Sequence, residues 1–127
     1  MAYIYDAGAL VAAERRDQTA LIRHRAILTS GTEPLVPITV LAQVWRDGAR
    51  QAQLARLLKS CEILSLEIPL GRAAGELCGR SGTADIVDAT VVLTAGPGDT
   101  IYTSDPNDLA KLLANLSYGH TVEVITV

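Results

Sequence analysis

No run of about 20 apolar residues, the length a bilayer-crossing helix needs, occurs in the chain, because Gly, Pro and polar side chains break each uncharged stretch. The opening residues Met1-Ala2-Tyr3-Ile4-Tyr5-Asp6 hold neither the basic segment nor the apolar segment of a secretion signal, so a cytoplasmic protein without membrane contacts is expected. Cysteine is scarce. Cys61 and Cys78 are the only two, and in a chain that can build its own core they read as buried thiols, with pairing as the alternative. They and two scattered histidines lack the spacing of a structural zinc site. Repeats and low-complexity tracts are absent, which leaves a single domain over 1–127. Positive charge is also short. The net charge of −3 argues against a generic nucleic-acid binder.

The 127 residues are 49% hydrophobic and 20% charged, a globular rather than a disordered balance. Folding at this size buries roughly two-thirds of the unfolded surface. The charges are unevenly spread: residues 1–60 carry a net +3 and residues 61–127 a net −6. Nine of the eleven cations are Arg, the better side chain for phosphate forks and interface ion pairs, although solvated helix faces explain them equally well.

Hydrophobic spacing and turn residues predict the order β-α-α-β-α-α-β-α-α-β-α-β. The predicted strands are Ala2–Tyr5, Leu35–Ile38 (interrupted by Pro37), Glu62–Leu66, Thr100–Thr103 and His120–Val127. The first helices are Ala9–Glu14 and Gln18–Leu28, the latter capped by Asp17. A third, capped by Thr39, runs from Val40 to about Asp47, weakens at Gly48 and continues over Ala49–Lys59. Helices from Pro69 to about Arg80, over Asp85–Ala95, and from Asp105-Pro106 to about Leu116 complete the set. Strands alternating with helices imply right-handed crossovers and a parallel sheet between two helical layers, a three-layer α/β/α sandwich.

In such a sheet the working crevice lies beyond the carboxyl ends of the strands. Asp6 follows the first strand and Asp105 follows Thr100–Thr103. If these strands are neighbours, their axes are about 4.8 Å apart and both acids point into one crevice. Asp85 and Asp88 share a helix face, as do Asp105 and Asp108. A cluster of Asp6, Asp88 and Asp105, with Asp85 and Asp108 beside it, needs a cation to stay ionised, and hard oxygen ligands suit Mg²⁺ or Mn²⁺. Two readings stay open: Asp85-x-x-Asp88 and Asp105-x-x-Asp108 also fit capping boxes, and Asp6 fits an Asx-turn into Gly8.

The stretches Tyr5-Asp6-Ala7-Gly8-Ala9-Leu10, Val40-Leu41-Ala42-Gln43-Val44-Trp45-Arg46, Asp85-Ile86-Val87-Asp88-Ala89 and Thr103-Ser104-Asp105-Pro106-Asn107-Asp108-Leu109 resemble the PIN-domain family. The resemblance is specifically to the ribonuclease toxins of VapBC-type toxin–antitoxin modules. It implies a PIN-like α/β/α fold and a Mg²⁺- or Mn²⁺-dependent endoribonuclease that leaves 5′-phosphate and 3′-hydroxyl ends. Asp6, Asp88 and Asp105 would be the metal-holding catalytic acids, with Asp85 and Asp108 in support. It also implies an antitoxin partner along the helices and a homodimer. Leu10, Val11, Leu21, Ile22, Ile27 and Leu28 offer apolar surface for that partner or for the core.

One departure stands out: the family normally has Glu where this chain has Gln43. An amide oxygen brings no charge, so the cation should bind more weakly. Asp47 is the substitute acid the helix spacing offers, about 6 Å along the axis. Arg46 and Arg50, four apart on the predicted helix, would hold RNA phosphates, or else be a solvated face or pair with acids of the antitoxin. Thr103 and Ser104 read as orienting the acids, because no Gly-x-Ser-x-Gly frame supports a hydrolase triad at Ser104. Trp45 reads as core packing and Glu14 as a surface acid. The alternative from another class is a weakened or inactive PIN-like module that binds RNA or protein. A phospho-acceptor receiver domain would need paired acids after the first strand, where this chain has Ala7-Gly8 after Asp6.

Overall fold

Five strands form one all-parallel sheet in the computed structural model, which describes residues 1–127: β1 (Tyr3–Tyr5), β2 (Leu35–Pro37), β3 (Glu62–Leu64), β4 (Thr100–Thr103) and β5 (Glu123–Thr126). Their spatial order is β3-β2-β1-β4-β5. The chain moves outward from β1 to β2 and β3, then returns to place β4 on the other side of β1. That reversal opens a crevice between the carboxyl ends of β1 and β4. Tyr5 lies opposite Tyr102, so the residues just past both strands emerge at one level.

Seven helices cover the sheet: α1 (Ala7–Glu14), α2 (Gln18–Thr29), α3 (Ile38–Val44), α4 (Ala52–Leu58), α5 (Ile68–Ser81), α6 (Ile86–Thr94) and α7 (Pro106–Leu113). The result is the expected three-layer α/β/α sandwich. α1 packs on β1 and β4 and against α2, α3 and α4, whereas α5, α6 and α7 pack on one another, with α6 across β1 and β2. Ile4, Leu10, Val36, Val40, Val91, Val92 and Ile101 are fully buried between the layers. Each such aliphatic side chain contributes roughly 1.5–3 kcal/mol. Cys61 and Cys78 are buried free thiols, and burial pushes the Cys61 thiol up to about 12. No helix is long and apolar enough to cross a membrane.

Several predicted boundaries are corrected. α1 begins at Ala7, not Ala9, because Asp6 caps it. β2 ends at Pro37 and α3 starts at Ile38 without a side-chain cap. Thr39 therefore lies inside the helix, where its hydroxyl meets that of Thr90 at 2.6 Å. The helix predicted to run from Val40 through Asp47 stops at Val44. Gly48–Arg50 forms a short 3₁₀ turn, capped by Asp47, and α4 starts only at Ala52. Gln51 makes this break: its Oε1 accepts from the Arg46 and Asp47 N–H groups at 2.8 and 2.9 Å, and its Nε2 donates to Val44 O at 2.9 Å. β3 ends at Leu64, α7 at Leu113, and a 3₁₀ turn over Gly119–Thr121 takes the front of the last predicted strand.

A polar chain joins β1, α2 and the turn after α4. The Tyr5 hydroxyl lies 2.9 Å from His24 Nδ1, and His24 Nε2 lies 2.7 Å from Ser60 Oγ. The Ser60 hydroxyl also donates to Leu57 O. That leaves Ser60 to accept from Nε2–H, so Nδ1 accepts from Tyr5. Burial, with the Arg23 charge, lowers the His24 pKa and favours this neutral ring.

Candidate active site

Asp6 leaves β1 and becomes the N-cap of α1. Its Oδ1 accepts from Ala7 N–H at 2.7 Å and its Oδ2 from the Thr103 hydroxyl at 2.7 Å. The same Thr103 oxygen accepts the Asp105 N–H at 3.0 Å. One fully buried hydroxyl at the end of β4 thus ties both strand-end acids together. Asp85 caps α6 through the Asp88 N–H at 3.0 Å, as the capping reading expects. Asp105 stands at the N-cap position of α7 but makes no cap bond with its side chain, so its carboxylate stays available. Ser104 Oγ lies 3.4 Å from Asp105 Oδ2, a weak contact.

Asp6, Gln43, Arg46, Asp85, Asp88, Asp105 and Asp108 line one cavity of about 490 Å³ together with Ala7, Val11 and Val44. The N-termini of α1, α6 and α7 all meet there, and each brings roughly half a positive charge. The acids still outweigh them. Burial, then the charges of Asp85 and Asp6, push Asp88 up to about 7. Five carboxylates and an amide are the donor set a hard cation takes. They share the cavity without closing on one point: no three acid, histidine or cysteine side chains are close enough to hold an ion as they stand.

Arg46 and Arg50 do not share a helix face. Arg46 lies past the end of α3, at the lip of the acidic cavity, where its Nη1 donates to Ala42 O and Trp45 O at 3.1 and 2.8 Å. Arg50 sits in the 3₁₀ turn, pairs with Asp47 at 3.6 Å and lies outside the cavity. Asp47, beyond the helix end, does not line it either, so no acid replaces the missing Glu at Gln43. Trp45 is not core: it is 40% exposed and walls an apolar groove between α3 and α4 with Ile38, Leu41 and Leu58. On α2, Leu21 and Ile22 are exposed and Ile27 belongs to the core, as does Leu10 on α1. Glu14 accepts from Gln51 Nε2 at 3.2 Å.

Two contributors escape sequence reasoning. Gln51 shapes the lip from eight residues past Gln43, and no local pattern marks it. Gly8 lies so close to Ser104 that a Cβ there would stand 2.5 Å from Ser104 Oγ. Its place in Asp-Ala-Gly, three residues after a strand end, is the only signal for that approach.

No family model matches the chain. No curated protein matches it either. Among solved structures the fold is similar to a chain in the crystal structure of VapBC2 from Rickettsia felis bound to a DNA fragment from their promoter. The TM-score is 0.71 at 13% sequence identity, over 100% of this chain and 99% of that chain. The likeness is one of fold, and it agrees with the PIN-like architecture that the motifs imply.

Proposed function

We propose that the chain is a Mg²⁺- or Mn²⁺-dependent endoribonuclease, the toxin of a type II toxin–antitoxin module acting in the cytoplasm. The observation that carries this reading is the shared cavity at the β1/β4 switch point, where acids from two strand ends and two helix starts meet. Asp6, Asp88 and Asp105 would hold the cation, with Asp85 and Asp108 completing its negative surroundings. A divalent cation there supplies a lower water pKa and a polarised scissile phosphate. The chain's own residues do the rest. Thr103 fixes the Asp6 carboxylate and the Asp105 backbone, Asp85 anchors the turn that carries Asp88, and Arg46 meets the substrate phosphate at the lip. Products would carry 5′-phosphate and 3′-hydroxyl ends.

The antitoxin would cover exposed apolar side chains, Leu21 and Ile22 on α2 and the groove walled by Trp45 between α3 and α4. A homodimer is part of the same proposal.

Purified protein with Mn²⁺ is expected to cut a structured RNA, and Asp6→Asn or Asp88→Asn to abolish cutting. Unchanged cutting in either variant refutes the assignment. The neutral Gln43 and the absence of a closed trio of acids favour one second reading, a PIN-like module that binds RNA or protein without cutting. RNA that is bound but left intact by the Mn²⁺-loaded protein would select it.

A further inference from the structure

Ala7 and Val11, one turn apart on α1, line two cavities at once. One is the acidic cavity. The other, of about 650 Å³, is bounded by Gly8, Ala12, Arg15, Asp17 and Ser104. The two adjoin along the Ala7–Val11 face of α1. Arg46 stands in the first compartment and Arg15 in the second.

We propose that the second compartment is a phosphodiester-backbone site in which Arg15 holds the RNA strand on its way past the carboxylates, as Arg46 does in the first. This rests on the nuclease reading above and adds a substrate track to it.

The charges fit a polyanion. The one ion pair in the chain is Arg50 with Asp47, so Arg15 and its neighbour Arg16 are exposed with no carboxylate bound to them. Asp17, the one acidic side chain lining the second compartment, is engaged as the N-cap of α2 through Ala20 N–H at 3.1 Å, and Val127 completes the lining. Arg15 is the C-cap of α1, and Arg16 turns the chain with φ 59°, a left-handed conformation that Gly adopts at lower cost. The end of α1 therefore presents two guanidinium groups where one Gly would have sufficed for the turn.

The walls fit as well. Gly8 has no side chain to fill the passage and lets Ser104 close down on α1 as its far wall. The exposed Ser104 hydroxyl is held only by the 3.4 Å contact to Asp105, so it can donate to a phosphate oxygen. A ligand with one charge would satisfy either Arg alone. Two cationic stations, one in each cavity and one of them beside the buried acid pair, suit a strand with repeated phosphates and unpaired bases, flexible enough to dip toward Asp6 and Asp88.

The test is fluorescence anisotropy with a labelled single-stranded 12-mer RNA, in EDTA and low salt, with the RNA checked on a gel for integrity. Arg15→Ala is expected to weaken binding about three- to tenfold and to flatten the salt dependence by about 0.7 in slope, the loss of one phosphate contact on a single strand. Ala12→Glu, which puts a negative charge in the same compartment, is expected to weaken it too. Arg15→Lys should keep most of the affinity, and Arg72→Ala on α5 should keep all of it. If Arg46→Ala weakens binding while Arg15→Ala and Ala12→Glu leave affinity and slope unchanged, the second compartment is not part of the track and the nuclease reading survives alone. If the wild-type chain binds no RNA in EDTA, the track falls, and the nuclease reading rests on the Mn²⁺ cutting assay alone.

Discussion

Both oxygens of Asp6 are engaged before any ligand arrives, one by the Ala7 N–H and one by the Thr103 hydroxyl. A buried carboxylate fixed in this way has its geometry set by its neighbours. Thr103→Val keeps the shape but leaves Asp6 Oδ2 and the Asp105 N–H without their partner. It should cost about 1–3 kcal/mol in urea unfolding and weaken Mn²⁺ binding as well. Asp88 responds to the same crowding through its proton. Its folded-state pKa of about 7 exceeds the ordinary 3.8. Between those values the metal-free folded protein retains a proton that the unfolded chain has released. Stability from this group is therefore complete below the ordinary value and is lost as pH rises through about 7. Unfolding curves at acid and at mildly alkaline pH should show that fall, and Asp88→Asn should flatten it. Gln43 lines the cavity but adds no charge. Gln43→Glu is expected to tighten Mn²⁺ binding roughly tenfold, the equivalent of about 1.4 kcal/mol; an unchanged affinity would place residue 43 away from the ion.

At the scale of elements, the break after α3 decides where Arg46 goes. Hydrophobic spacing carries a helix through Asp47, yet the chain turns out at Trp45 because Gln51 takes up the freed backbone groups from five residues ahead. Periodicity registers which face is apolar and is blind to such a distant amide. This is why the third and fourth helices were legible as apolar segments while their ends were not. Gln51→Ala should hand the exposed Arg46 and Asp47 N–H groups to water, lower stability by about 0.5–1.5 kcal/mol and loosen Arg46. The other sensitive contact is Gly8 against Ser104. Gly8→Ala forces the connection after β4 away from α1, since its Cβ would also meet Ser104 N at 2.8 Å. The expected outcome is a loss of about 1–3 kcal/mol together with weaker Mn²⁺ binding, read by thermal melts and calorimetry on the same sample.

At the scale of the molecule, topology gathers what the sequence scatters over a hundred residues. Asp6 and Asp105 meet because β1 and β4 are neighbours at the point where the sheet reverses direction. That adjacency was an assumption when read from spacing alone, and the strand order supplies it. The layers, the parallel sheet and the strand-end acids were legible because short apolar runs and acids at their ends leave a local trace. The second cavity on α1 was not, because Arg15 and Ser104 become its neighbours only through the β4–α1 packing. The central claim is that these carboxylates hold one divalent cation. Mn²⁺ titration by calorimetry on the wild-type chain, Asp6→Asn and Asp105→Asn tests it most directly. Saturable binding by the wild type that is lost in both variants is the predicted result; no binding, or equal binding by all three proteins, would contradict it.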